Sequence, residues 1–140
     1  MGNTKYDKYF ITELSTSKAR KLIPNGNSMF NMDRIPEIFS EANVTGGGVW
    51  FVKPHVMVDE THIHDFDEYL FFFGTNPNDP EEFDGEVEFH IGGEGVVKRI
   101  TSRTIVYVPA GLVHCPLKFV KVNKPLCFFH IRIHSAKKNT

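Results

Sequence analysis

From residue 58 onward the chain reads as a succession of short β-type runs broken by turn residues, and this pattern constrains the fold more than any other feature. The runs are Glu60–His64, Tyr69–Phe73, Glu86–Ile91, Val96–Ile100, Thr104–Val108, Leu117–Val122 and Pro125–Ile133. Between them lie Gly74 with the Asn-Pro-Asn-Asp-Pro loop at 76–80, then Gly92-Gly93-Glu94-Gly95, Pro109-Ala110-Gly111 and Asn123-Lys124. Branched and aromatic side chains suit a pleated, half-buried surface, and Gly and Pro supply the turns. No interval is long enough for a crossover helix, which argues against a parallel α/β sheet. The expected class is all-β, a sandwich or barrel.

The first third is less regular. Phe10 and Ile11 suggest an edge strand, Asn25-Gly26-Asn27 a turn, and 33–39 one helical turn limited by Pro36. Gly46-Gly47-Gly48 then punctuates before a strand at Val49–Val52. The expected organisation is an N-terminal extension at 1–48 packing on the barrel or on a partner subunit. A barrel at 49–134 and a flexible tail at 135–140 complete it.

Composition sets the remaining bounds. A chain of 140 residues with 41% apolar content supports one domain with a sizeable core, and its 13 Phe favour sheet packing. A formal charge of -1 offers no electrostatic footprint for nucleic acid or an anionic membrane, so neither is expected as a partner. Cys115 and Cys127 form no framework spacing and suit a reducing compartment. The first ten residues hold no apolar signal core, and no apolar run is long enough to span a bilayer. The expected location is cytoplasmic.

The chemistry concentrates in two short segments. In Thr61-His62-Ile63-His64, histidines two apart on a strand share a face and can meet one ion. Glu68 returns to them only if the chain turns at Asp65-Phe66-Asp67, because six extended residues cover about 20 Å. Leu70 and Phe72 then share the face of Glu68. A second segment, Pro109-Ala110-Gly111-Leu112-Val113-His114, is a tight turn delivering another histidine. Three imidazoles and a carboxylate would suit Mn, Fe, Ni, Cu or Zn and disfavour Ca or Mg.

The run Thr61–Glu68, followed by Gly74, resembles the first motif of the cupin superfamily, and Pro109–His114 resembles its second. The resemblance implies a double-stranded β-helix, the cupin jelly-roll barrel, with an N-terminal extension here. It implies His62, His64, Glu68 and His114 as ligands of one divalent transition metal ion inside the barrel, and commonly a homodimer.

Around these ligands, Asp65 and Asp67 are expected to accept an imidazole N–H or to face solvent. Cys115 is expected to alternate away from His114. Leu70, Phe72, Val106 and Val108 imply an apolar cavity, with Trp50 at its mouth and Tyr107 within reach. His130, Arg132 and His134 have one parity on the last run; Phe129, Ile131 and Ile133 have the other. Either the apolar set is core and the polar set wet, or His130 and Arg132 enter the cavity. There Arg132 would grip a carboxylate or phosphate.

Neither a phosphate-cradling loop nor a nucleophilic serine elbow is present. The expected function is metal-dependent action on a small oxygen-bearing organic molecule, with catalytic residues unknown. Dioxygenase-, decarboxylase- and isomerase-like reactions all remain open. The alternative is a non-catalytic binding or sensor module for a small molecule.

Overall fold

The computed structural model describes residues 4–14 and 25–135. Apart from Ser135, the expected tail lies outside the described residues. A 3-10 turn at Asp7–Tyr9 precedes strand β1 (Gly26–Asn31), a one-turn helix α1 (Ile35–Ile38) and β2 (Val44–Phe51). Then follow β3 (His55–Val58), β4 (Asp67–Phe73), β5 (Gly85–Ile91), β6 (Val96–Ile100), β7 (Thr104–Val108), β8 (His114–Val122) and β9 (Leu126–Ile133). Two antiparallel sheets result, ordered β1-β2-β9-β4-β7 and β3-β8-β5-β6.

The alternation legible in β4 and β5 sets which faces meet. Glu68, Leu70 and Phe72 are buried while Asp67, Tyr69, Phe71 and Phe73 are not. Val87 and Phe89 are buried, and Glu86 and Glu88 form ion pairs with Arg99 on the wet face. Phe51, Phe72, Phe89, Phe119 and Phe128 fill the space between the sheets. Phe51 stacks on Phe119 with centroids 4.1 Å apart, and Phe119 meets Phe128 edge-on at 5.8 Å. Each such ring contributes about 1.5–3 kcal/mol by leaving water. Glu68 at the start of β4 pairs with Arg132 near the end of β9, which leaves that end of the sandwich for polar groups.

Several expectations about the chain's course are corrected. Residues 60–64 form no strand; they are irregular apart from a single bridge between His62 and His114. Phe10 and Ile11 form no edge strand, and Phe10 is exposed. Gly26 opens β1, opposite Phe51, instead of continuing a turn. Gly46, Gly47 and Gly48 lie inside β2, so the strand runs through the 48/49 boundary. The cause at Gly48 is tertiary: a Cβ there would meet the rings of Phe30 and Phe129 at 2.6 Å. The helical turn expected in 33–39 is α1, with Pro36 in its first turn, where the missing N–H costs nothing. Among the described residues no helix is long and apolar enough to cross a membrane.

Candidate metal centre

Hydrogen bonds clamp the two histidine-bearing segments together. His62 N–H donates to the His114 carbonyl and His114 N–H to the His62 carbonyl, both at 3.0 Å. Gly111 N–H donates to the His64 carbonyl at 2.9 Å, and the Thr61 hydroxyl donates to the Cys115 carbonyl at 3.1 Å. Ala110 N–H donates to the Asp67 carboxylate at 2.9 Å. Gly111 holds the third position of the turn closed by Leu112 N–H to Pro109 carbonyl, and its φ of 85° is what glycine tolerates there.

The clamp gathers three imidazoles. One ring nitrogen from each of His62, His64 and His114 lies within 4.8 Å of the others, so the three can hold a metal ion. The ring centroids of His62 are 4.4 Å from His114 and 4.5 Å from His64. Backbone carbonyls orient two of the rings: His114 Nδ1 lies 2.9 Å from the Leu112 carbonyl and His62 Nδ1 3.3 Å from that of Glu60. With its Nδ1–H donated, His114 turns the Nε2 lone pair inward, as a ligating histidine requires. That Nε2 is buried and has no hydrogen-bond partner among the described residues.

His64 stacks on Phe66 at 4.4 Å. Burial, then the neighbouring imidazoles and Arg132, hold its pKa below the ordinary imidazole value, although the Glu68 carboxylate works the other way. The result favours the neutral, ligand-competent ring.

Glu68 is almost fully buried beside this cluster, with Oε1 3.8 Å from His114 Nε2. Its Oε2 accepts from Arg132 Nε at 3.2 Å. Thus Arg132 holds one carboxylate oxygen and leaves the other towards the imidazoles. A cavity of about 170 Å³ opens here, walled by Met57, Val58, Leu70, Leu117 and Phe128 and carrying His130 and Arg132 from β9. Burial and the Arg132 charge push the His130 pKa down to about 4 against the opposing Asp33, so the ring is neutral. Its Nδ1 is the second buried side-chain atom without a partner among the described residues.

No family profile and no curated protein matches the sequence. Solved structures match in shape. A sugar phosphate isomerase of the cupin superfamily from Silicibacter pomeroyi DSS-3 superposes at a TM-score of 0.53 and 10% identity, covering 86% of this chain and 67% of that one. The chain has the cupin fold. KdgF from Halomonas sp. matches at a TM-score of 0.44 and 15% identity, over 66% of this chain and 71% of its own. HppE in its iron(II) and cobalt(II) forms matches at 13% identity with TM-scores of 0.45 and 0.48, over 65% and 77% of this chain. The chain spans about half the length of these HppE structures, 43% and 52%.

Within the cupin barrel, the other residues singled out in the sequence are dispersed. On β9, His130 and Arg132 line the cavity, while Phe129 and Ile131 alternate to the other face. Leu70 is among the residues that line the cavity. Phe72 does not; it packs deeper, against Phe128 at 5.1 Å and Phe119 at 6.2 Å. Val108 is likewise buried core, and Val106 borders a separate hollow beside β6. Trp50 is 40% exposed on the outer face of β2, between the buried Val49 and Phe51, away from the cavity mouth. Tyr107 is half exposed on the outer face against Tyr69, at 5.1 Å.

Asp67 serves the turn amide of Ala110 instead of an imidazole, and Asp65 is exposed beside a shallow groove. Cys115 lines the cavity, contrary to the expected alternation, because its φ of 73° puts both His114 and Cys115 on buried sides of the chain. Burial and the Glu68 charge push its thiol pKa up to about 12, which keeps it protonated. The orienting carbonyls of Glu60 and Leu112 escaped sequence reading, since backbone groups carry no residue signature.

Proposed function

We propose that this chain is a metal-dependent cupin acting on a small oxygen-bearing organic molecule. His62, His64 and His114 would hold one divalent transition metal ion, with Glu68 as the fourth ligand. The observation that carries this is the buried Nε2 of His114, which has no hydrogen-bond partner among the described residues and lies beside two further imidazoles. A buried polar atom without a partner costs about 1–3 kcal/mol, which an ion at that position would recover. The donor set is borderline-soft nitrogen with one oxygen, the chemistry of Fe, Mn, Ni, Cu or Zn. When bound, such an ion supplies Lewis acidity, and a redox-active one supplies oxygen chemistry.

The protein's own part is positional. Arg132 steadies Glu68, the Leu112 carbonyl holds His114, and apolar walls exclude bulk water from one side of the ligand. The sugar phosphate isomerase activity named for the Silicibacter protein is not carried to this chain, which is 10% identical to it.

A second reading, a non-catalytic binding or sensor module, draws support from the same cavity. Outside the three clustered histidines, the lining His130, with a pKa of about 4, and Cys115, with one of about 12, do not change charge near neutral pH, and Arg132 is paired with Glu68. Metal analysis and turnover separate the readings. Purified protein should carry about one transition metal ion per chain, lost in His62→Ala combined with His114→Ala; retention in that variant overturns the site. Turnover of a small carboxylate, diketone or catechol by reconstituted protein favours the enzyme, whereas saturable binding without product favours the sensor.

The aromatic outer face of the five-stranded sheet, with Phe71, Phe73, Trp50, Ile105 and Tyr107, supports a homodimer. Two unpaired, buried thiols fit a reducing cytoplasm.

A further inference from the structure

We propose that Arg132 makes the cavity selective for a small organic acid, whose carboxylate the guanidinium holds while the rest of the molecule lies towards the imidazole cluster. This names the substrate class of the site proposed above and rests on that reading.

Four observations converge. Arg132 lines the same cavity as His62, His64 and His114. Its Nε is committed to Glu68, and among the described residues nothing accepts from Nη1 or Nη2. The Nε contact to Glu68 and the Phe66 ring, 5.9 Å from Cζ, restrain the guanidinium. Its Nη1/Nη2 edge is left to donate, and such an edge grips a planar carboxylate through two parallel N–H bonds.

Charge and size narrow the class. Glu68 and Arg132 pair through Oε2 and Nε, and His130 is neutral. A divalent ion held by the imidazoles would add positive charge to the cavity, which an anion relieves. The cavity of about 170 Å³ is open to solvent on one side and is large enough to seat a small organic acid. Met57, Leu70 and Leu117 leave an apolar wall for a short carbon chain.

The test compares L-lactate with L-lactamide, equal in size and differing in charge, by calorimetry on cobalt(II)-loaded and on metal-free protein. The expected result is a preference for lactate of about tenfold in the metal-free protein, from the guanidinium grip alone, and a larger one with cobalt(II) bound. Arg132→Gln should abolish the preference of the metal-free protein, with circular dichroism reporting that the variant stays folded. Arg132→Lys, which keeps the charge and loses the fork, should retain part of it and serves if the Gln variant does not fold. Equal affinities, no saturable lactate binding, or a metal-free preference that survives Arg132→Gln would each overturn the proposal. If cobalt does not bind, the metal reading fails by itself and the metal-free comparison still decides the role of Arg132.

Discussion

His62 and His114 exchange both of their backbone hydrogen bonds, at 3.0 Å in each direction. Residues paired in this way sit opposite each other with side chains on one face. Two histidines remote in sequence are thereby brought to a ring separation of 4.4 Å before any ion is involved. His64, two residues on, is tied to the same turn through its carbonyl and Gly111. The donor cluster is thus set by backbone pairing, and side-chain rotation need only finish it.

If that cluster holds an ion, metal binding stabilises the fold. At free metal about 100-fold above Kd the gain is about 2.7 kcal/mol, or roughly 10 °C in Tm for a domain of this size. Differential scanning calorimetry with and without chelator should show this shift in the natural sequence and none in His114→Ala.

His130 should make the metal-free protein acid-sensitive. Its folded pKa of about 4 lies below the ordinary 6.5, so between those values the unfolded chain binds more protons. The stabilising contribution is full above about pH 6.5 and is lost as pH falls towards 4, by up to about 3 kcal/mol. Urea denaturation across this range should show the slope, reduced in His130→Gln. The charged groups facing the ring are Arg132, which lowers its pKa, and Asp33, which raises it.

Gly48→Ala should destabilise by about 1–3 kcal/mol, because its new methyl would collide with Phe30 and Phe129 across the sheet. Equilibrium unfolding measures this directly. An effect near zero would mean that the two rings separate freely.

Phe72→Ala should cost about 3–5 kcal/mol, since the ring is fully buried between Phe119 and Phe128. Metal stoichiometry should be unchanged, as the residue does not line the cavity. Parallel unfolding and elemental analysis distinguish a core residue from a site residue.

The outer sheet face predicts association. Light scattering should give the mass of two chains, and Ile105→Asp, at an apolar position 57% exposed, should give one. A natural sequence that stays monomeric at high concentration would remove the dimer.

What the sequence determined by itself is what depends on near neighbours. The inward set Glu68, Leu70 and Phe72 was legible because side chains alternate strictly along an extended chain, and Val87 with Phe89 followed for the same reason. The turn at Pro109–Leu112 was legible from Pro and Gly. Tertiary structure alone decided which parity of β9 faces inward. Both sets are chemically reasonable for a strand, and the choice is made by its place between β2 and β4 with His130 opposite Leu70. It also decided that three glycines could lie within β2: Gly48 makes room for the Phe30 and Phe129 rings of β1 and β9, and a Cβ at Gly46 or Gly47 would meet the backbone of β9 or β1. Cys115 turned inward because a positive φ interrupts the alternation. Burial is a property of the neighbour across the sheet, and that neighbour is distant in sequence.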